Sequence, residues 1–242
     1  MTTSWSPLST PTPEELIAVA ARSPQFSLAH DWELLRRDEA WWLRALGRPG
    51  ALTQGQVVTI GGTAQTIALC VQAEGRRAEV ELMPPEDDRS LAVVRPLGPG
   101  PDDRARALIG AGSLAAGPPR QLSPTDLRHL ALAAEAFGCE LLWQLDAATA
   151  RDVEHASRVV ATDSALSLTT VVTRQDTPVD WLRAGQALVQ CRLVARDLGF
   201  SVTFGPHALG RRETREEVRS LWGLEHWPQV ELGLDTRDQG DL

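Results

Sequence analysis

Arginine is the only cationic side chain that this sequence offers for holding an anion. Lysine and arginine together number 24 in the 242 residues, and every one of them is arginine. Schiff-base catalysis and a P-loop nucleotide site both need a lysine amine, so both are excluded within these residues. A phosphate group would have to be held by arginine side chains, hydroxyl groups or backbone N–H groups.

Other residues that could do chemistry follow no catalytic or metal-binding spacing. The histidines show no HxxxH pattern, and no GxSxG nucleophile motif occurs. Gly61-Gly62 does not extend to the GxGxxG of dinucleotide sites. Three scattered cysteines without a CxxC pair are interpreted as buried thiols of a reducing compartment: Cys70, Cys139 and Cys191. The sequence therefore predicts no metal centre.

The charge and hydropathy patterns narrow the class of partner. A formal net charge of -8 at pH 7 argues against nucleic-acid binding, which needs a basic surface to neutralise phosphates. No basic N-terminal segment precedes an apolar run, and no stretch reaches the roughly 18 apolar residues of a membrane span. We therefore expect a cytoplasmic globular protein with a small-molecule ligand and without a nucleic-acid or membrane partner.

One helix-start pattern occurs three times, at Thr12, Ser123 and Thr177. Each hydroxyl residue is followed by proline, and a carboxylate follows within the first turn. The hydroxyl group caps an orphan N–H group, proline has no N–H group to lose, and the carboxylate suits the positive end of the helix dipole. The third start predicts the longest helix, from about Pro178 to Leu198.

Glycines mark the opposite ends of the predicted helices. Gly75, Gly138 and Gly199 each follow an apolar run of helical period and precede a strand-like segment. Strands are expected at 78–83, 139–145, 166–173, 200–204 and 230–234. This alternation predicts an α+β fold with a mixed β-sheet covered by helices on both faces and a long central helix.

Composition sets the limits of the expected domain. Residues 1–11 are rich in Ser, Thr and Pro, and residues 236–242 are polar, so both are interpreted as loose tails. Residues 12–235 are expected to form one domain, and no repeat of fixed period is evident in them. Eight tryptophans without tyrosine are unusual, and Trp41-Trp42 could be core residues or a stacking wall for a flat ligand.

A specific motif lies near the C-terminus. Residues 173–188 read TRQDTPVDWLRAGQAL, followed later by Arg215, Arg219 and Pro228-Gln229. This pattern resembles the Acg-like branch of the FMN-dependent nitroreductase superfamily, whose central helix begins in the same way. The resemblance extends over about 13–235. It implies a nitroreductase-like fold in two half-repeats, over about 12–110 and 111–235.

The N-terminal half matches that family at fewer positions. Residues 20–32, AARSPQFSLAHDW, stand where the family has a flavin-contacting loop, and Gly61-Gly62-Thr63-Ala64 stand where it begins a helix. Only Pro24 and Trp32 of the loop agree with the family pattern. Family residues are also missing near the C-terminus, where Gly233 replaces an arginine and the segment around 161–165 is too short for a pocket lid.

The resemblance implies an FMN site. The expected function is an FMN-dependent nitroreductase-like oxidoreductase that passes hydride from NAD(P)H through the flavin to an unknown acceptor, without a catalytic side chain. The implied cofactor contacts are Gln25, His30 and Trp32 near the ring, the backbone N–H groups of Phe200, Ser201 and Val202, and Arg183, Arg211 and Arg212 at the phosphate.

The departures from the family pattern support a second interpretation. Leu28 replaces a family asparagine, and an unpaired polar edge of the flavin costs roughly 1–3 kcal/mol per group. The chain would then be a degenerate nitroreductase-fold protein without catalysis that binds or sequesters flavin or serves as a partner subunit. Assembly also has two alternatives, a monomeric pseudo-dimer or a homodimer joined through the helix around Gly185.

Overall fold

The computed structural model describes residues 32–47, 49–101, 103–111, 122–146, 159–162, 167–204 and 207–235. The predictions for Gln25, His30 and the helix start at Thr12 lie outside the described residues. The helices are α1 (Gln54–Ala73), α2 (Asp103–Ala111), α3 (Pro124–Glu135), α4 (Pro178–Asp197) and α5 (Arg212–Leu221). The strands are β1 (Trp32–Arg37), β2 (Ala40–Ala45), β3 (Arg76–Leu82), β4 (Ser90–Pro99), β5 (Glu140–Asp146), β6 (Val159–Thr162), β7 (Ser167–Thr173), β8 (Ser201–Phe204) and β9 (Trp227–Asp235).

These strands form two separate sheets. The first sheet has the order β1-β2-β4-β3 and is antiparallel throughout. The second has the order β6-β5-β7-β9-β8, in which only β5 and β6 run parallel. The predicted α+β class is confirmed, and the five strands expected from the sequence all occur with small shifts at their ends. The expectation of one mixed sheet is wrong, because the β1–β4 strands form a sheet of their own.

The two long helices lie in the middle of the molecule, and the sheets lie outside them. Helix α1 packs on the first sheet through a core that includes Trp41, Ile60 and Val94. Helix α4 packs on the second sheet through a core that includes Trp143, Leu188 and Leu232. Both helices are buried around most of their circumference, so each needs a sheet on one side and the other helix on the opposite side. Among the described residues, each sheet is therefore covered by one of the long helices on its inner face.

Helices α1 and α4 cross at two glycines. A Cβ atom at Gly61 would overlap the carbonyl oxygen of Leu182, and one at Gly185 would overlap the carbonyl oxygen of Val58. The contact is reciprocal, since each glycine of one helix meets the residue three positions before the glycine of the other. The helix around Gly185 is therefore used inside the chain, and the prediction that it joins two copies is wrong.

The two halves of the chain share one topology. Thr53 and Thr177 each open a 20-residue helix with a capping box, and Gly75 and Gly199 follow the two helix ends with φ of 81° and 89°. In each half an edge strand comes next and then an inner strand, so β1-β2-β4-β3 corresponds to β5-β7-β9-β8. The sequence analysis found no repeat of fixed period. The signal was the constant spacing between these paired threonines and glycines.

The predicted helix starts at Ser123 and Thr177 and the predicted end glycines agree with the structure. Ser123 and Thr177 are N-caps with capping boxes, and proline opens both helices. Gly138, like the other two end glycines, has positive φ (70°). Gly61 does not begin a helix as the resemblance implied. It lies in the middle of α1, which starts at Gln54 after the Thr53 cap.

The hairpin between β1 and β2 turns through two residues in an unfavourable backbone conformation. Asp38 and Glu39 have φ of 49° and 66°, the left-handed region that a two-residue type I′ turn requires and that favours Asn and Gly. The turn contains no Asn-Gly dipeptide, so the hairpin was not predicted. Its strain is stored in the two central residues.

Replacing Glu39 by glycine should relieve part of this strain. We expect Glu39→Gly to raise the free energy of unfolding by about 1 kcal/mol, measured by urea denaturation. Glu39→Ala is the matched control, because it removes the exposed ion pair to Arg76 (3.3 Å) while keeping a Cβ atom at positive φ. Equal stabilities of the two variants would contradict the explanation.

Candidate functional site

A buried ion pair stands where the motif residues converge. Asp176 lies between β7 and α4, and Arg215 lies on α5. Their side chains are 4% and 3% exposed, and Arg215 Nη2 lies 2.9 Å from Asp176 Oδ2. Arg215 also donates through Nη1 to the carbonyl oxygen of Leu209 at 2.8 Å. The pair therefore joins the start of α4 to α5 in a site that excludes solvent.

Further hydrogen bonds extend this pair into a network, called here the Asp176 network. Trp181 Nε1 donates to Asp176 Oδ1 at 2.6 Å. The amide nitrogen of Gln229, in β9, donates to Thr173 Oγ1 at 2.8 Å, with Asp176 Oδ1 at 3.3 Å. Gln54, at the start of α1, donates to the carbonyl oxygen of Gln229 at 2.8 Å. The network thus connects both halves of the chain at one end of the two central helices.

The hydrogen bonds control the charge of Asp176. Burial by itself would raise the pKa of this carboxyl group, but hydrogen bonds from Arg215 and Trp181 and the charge of Arg215 outweigh it and lower the pKa below its usual range. A carboxyl group with a lowered pKa in the folded state stabilises the fold above its unfolded pKa, about 4. That contribution is lost as the pH falls through the folded-state pKa.

We therefore expect acid to destabilise the protein partly through Asp176. The free energy of unfolding should fall as the pH drops below about 4, and Asp176→Asn should show a shallower fall because it has no proton to bind there. Urea denaturation at several pH values measures both slopes. Asp88→Asn, which removes an exposed carboxylate, is the control. An Asp176→Asn protein with the wild-type slope would contradict the assignment.

The network gives the specific motif a structural role. Thr177 and Asp180 form the capping box of α4, Asp176 binds Arg215, and Gly185 makes the helix crossing. The polar side-chain atoms of Thr177, Asp180 and Asp176 bind other parts of the protein. Arg215 Nε has no hydrogen-bond partner among the described residues. The guanidinium carbon lies over the Trp181 ring, 5.6 Å from the ring centroid, in a cation–π contact. The motif residues therefore have structural roles: they cap α4, bind it to α5 and allow its close contact with α1.

The predicted ring contacts after Gly199 are only partly available to a ligand. Phe200 is 1% exposed and packs in the core of the second sheet. Its N–H group donates to the carbonyl oxygen of Ala195 at 2.9 Å, so it closes the end of α4. The prediction that this N–H group faces a flavin is therefore wrong. Ser201 and Val202 belong to β8, an edge strand that pairs with β9.

The three predicted phosphate arginines belong to two helices, Arg183 to α4 and Arg211 and Arg212 to the start of α5. Arg212 lies on the surface of α5, pairs with Glu216 at 3.0 Å and covers the Trp227 ring with its guanidinium carbon 5.6 Å from the centroid. Arg211 is exposed, and so is Arg183 on α4. The charge of Arg183 acts on the nearby Cys139 thiol and lowers its pKa, against the larger effect of burial. Neither Arg211 nor Arg183 forms a hydrogen bond or ion pair through its side chain within the described ranges.

Arg212 and the predicted ring contacts in β8 lie at opposite ends of the second sheet. Trp227, beside Arg212, pairs with Thr173, whereas Ser201 pairs with Asp235 at the other end of β9. Eight residues of strand separate these ends by about 26 Å at roughly 3.3 Å per residue. One FMN molecule would have to lie along the whole of β9 to reach both. Arg212 and the β8 backbone therefore do not fit the phosphate and ring contacts of one FMN molecule.

Trp32 is placed as a core residue. It is the first residue of β1, pairs with Ala45 and packs against the core of the first sheet while staying partly exposed. Trp41 is 3% exposed in the same core, which supports the core interpretation of this residue. Trp42 points to the other face of the sheet, where the Arg95 guanidinium carbon lies 5.6 Å from its ring centroid. The sequence could not separate these roles, because strand β2 was not predicted.

The thiols agree with the interpretation of buried cysteines, with one exception. Cys139 and Cys191 are buried and Cys70 is half-buried. Burial raises the pKa of Cys139 to about 12 and raises that of Cys191 as well. Burial, together with the charge of Glu74, raises the pKa of Cys70 to about 11. The thiolate forms are therefore scarce at neutral pH.

Thiol labelling should follow this burial. We expect Ellman's reagent to modify Cys70 slowly in the folded protein and Cys139 and Cys191 only after denaturation, because the reagent needs an accessible thiolate. Mass spectrometry of the labelled peptides identifies the sites. Labelling of Cys191 without denaturant at the rate of Cys70 would contradict the buried position.

A shallow groove lies on the exposed surface of α3. It encloses about 540 Å³ along the outer side of α3, between Pro124 and Glu135. Arg128 is the only cationic side chain on its wall. No cluster of three metal-binding side chains occurs in the described ranges. Within them, no helix is both long and apolar enough to cross a membrane.

Comparison with known proteins adds no relative. The chain matches no protein-family model and no curated protein sequence. Fold and network together define an α+β protein of two topologically matching halves, joined by crossed glycine-containing helices and the Asp176 network. The family resemblance thus depends on the motif residues alone.

Proposed function

We propose that this chain is a degenerate nitroreductase-like protein that keeps the family's frame without its flavin chemistry, and that it acts as a binding or partner protein. The observation that carries the proposal is the use of the expected cofactor contacts for internal structure. Phe200 fills the core and caps α4, and Arg212 is occupied by Glu216 and Trp227. A residue that the fold already uses is a poor ligand for a cofactor, because binding would first have to break its existing contacts.

The proposal is tested with the purified full chain. We expect a colourless protein that does not quench the fluorescence of added FMN at micromolar concentration and does not speed NAD(P)H oxidation with a quinone or nitroaromatic acceptor. A yellow preparation whose flavin bands bleach on addition of NAD(P)H would overturn it. Apoprotein refolded with excess FMN separates true loss of binding from loss of cofactor during purification.

A second function, the FMN-dependent oxidoreductase, is favoured by a different observation. Arg183 and Arg211 are exposed, and their side chains are unpaired within the described ranges, so either could bind a phosphate group. FMN bound to the protein would supply hydride transfer from NAD(P)H. If FMN does bind, the phosphate ligand is the residue whose substitution, Arg183→Ala or Arg211→Ala, raises the dissociation constant of FMN. Arg174→Ala, at another exposed arginine, is the matched control.

A further inference from the structure

Within the described ranges, the first sheet ends in a strand with no neighbour on its outward edge. β1 is the terminal strand of the order β1-β2-β4-β3, and β2 is its one partner among those residues. Its outward N–H and C=O groups have no backbone partner among the described residues. Such an edge can add a strand from another chain.

The side chains of β1 divide between the two faces of the sheet. Trp32 and Leu34 pack against the core with α1. Because side chains alternate along a strand, Glu33, Leu35 and Arg37 lie on the opposite, outer face. Glu33 is 37% exposed, Leu35 is half-buried, and Arg37 is exposed. The outer row of the edge strand therefore reads acidic, apolar, basic.

This row is complementary to itself. In an antiparallel pair of two β1 strands centred on Leu35, Glu33 of one copy lies opposite Arg37 of the other, and the two Leu35 side chains meet on the symmetry axis. Opposite charges and apolar pairs directly across an antiparallel ladder stabilise it, whereas like charges destabilise it. A two-fold axis closes the contact, so it ends at a dimer and does not continue into a fibre.

We propose that two copies of this chain associate through β1, edge to edge, and join their first sheets into one continuous sheet. The partner is a second copy of this chain, because an antiparallel copy of the row places opposite charges against each other at both ends and leucine against leucine at the centre. The other edge of the same sheet, β3, presents Arg77, Glu79 and Glu81 on its outer face without an apolar residue. In an antiparallel pair of two β3 strands centred on Glu79, Arg77 would lie opposite Glu81, but two Glu79 carboxylates would meet on the axis and repel each other where β1 has two leucines.

Sedimentation velocity on the full chain from about 1 to about 200 μM tests the proposal. This range suits a weak dimer, because a contact between two six-residue strands buries little surface. We expect the wild-type chain to shift from monomer to dimer over this range. Arg37→Glu places Glu opposite Glu33 twice and should raise the dissociation constant at least about tenfold. Arg77→Glu, at the other edge, should leave the dimer unchanged.

Charge exchange makes the test specific. Glu33→Arg gives an edge with two basic residues, and Arg37→Glu gives one with two acidic residues. Each should be monomeric alone, and their mixture should form a heterodimer as tight as the wild-type dimer. Circular dichroism checks that Glu33→Arg, which loses the 3.4 Å ion pair to Arg44, stays folded. A wild-type chain that is monomeric at every concentration, an Arg37→Glu chain that dimerises normally, or a mixture that stays monomeric would each overturn the proposal.

Discussion

Gly185→Ala should destabilise the protein by about 3 kcal/mol or more, which is at the upper end for overpacking. The added Cβ atom would overlap the carbonyl oxygen of Val58 and approach the backbone nitrogen of Gly62 at 2.8 Å. Both atoms belong to the backbone of α1 and cannot rotate away as a side chain could. The two helices must move apart, and the cores on both sides of them lose contact. Urea denaturation followed by circular dichroism measures the loss.

The matched control is the same substitution at Gly55. A Cβ atom there meets no atom within 4 Å, so Gly55→Ala should keep or raise stability, by up to about 1 kcal/mol, through helix propensity. The reciprocal crossing gives a second check, since Gly61→Ala should cost about as much as Gly185→Ala. A Gly185→Ala protein as stable as Gly55→Ala would show that the helices do not cross at these glycines.

Arg215→Met should cost about 3–5 kcal/mol of unfolding free energy, because it leaves the buried carboxylate of Asp176 without its cation. The side chains of this pair are 3% and 4% exposed, so water cannot replace the lost partner. Arg212→Met, on the same helix, removes a pair whose side chains are 66% and 52% exposed, and it should cost less than about 1 kcal/mol. Thermal and urea unfolding of both variants measure the difference.

A double substitution separates the charge effect from packing. Adding Asp176→Asn to Arg215→Met removes the unpaired buried charge and should recover part of the loss, although Asp176→Asn alone destabilises. A double variant as unstable as the sum of the two single variants would assign the effect of Arg215 to packing against Trp181. That outcome would remove the ion pair as the link between α4 and α5.

Much of the fold could be predicted from local patterns. The caps at Ser123 and Thr177 and the end glycines Gly75, Gly138 and Gly199 fixed helix ends, because capping acts within about four residues of chain. The strands β1, β2, β4 and β6 were missed. The hairpin of β1 and β2 uses Asp38 and Glu39 in place of the glycine-containing turn that sequence rules recognise.

The candidate site could be predicted only as a set of residue types. The motif around Asp176 was correctly singled out, but its resemblance to a flavin protein suggested a role in ligand binding. Contacts from Arg215 and Gln229, which follow it by dozens of residues, show that it binds other elements of the second half. Gln54 donates to the carbonyl oxygen of Gln229 and so connects this network to the first half. The implied contacts at Phe200 and Arg212 failed because core packing and a neighbouring carboxylate already occupy them.

By itself the sequence determined the α+β class, the limits of α3 and α4 and the restriction of any anion site to arginine, hydroxyl and backbone groups. These properties depend on single residues or on neighbours within one helical turn. Only the tertiary structure decided that there are two sheets, that Gly61 and Gly185 form a helix crossing, and that Arg212 lies far from Ser201 in β8. Each of these depends on which distant segments pack together, and packing is settled by the burial of whole faces and the satisfaction of buried polar groups across the chain.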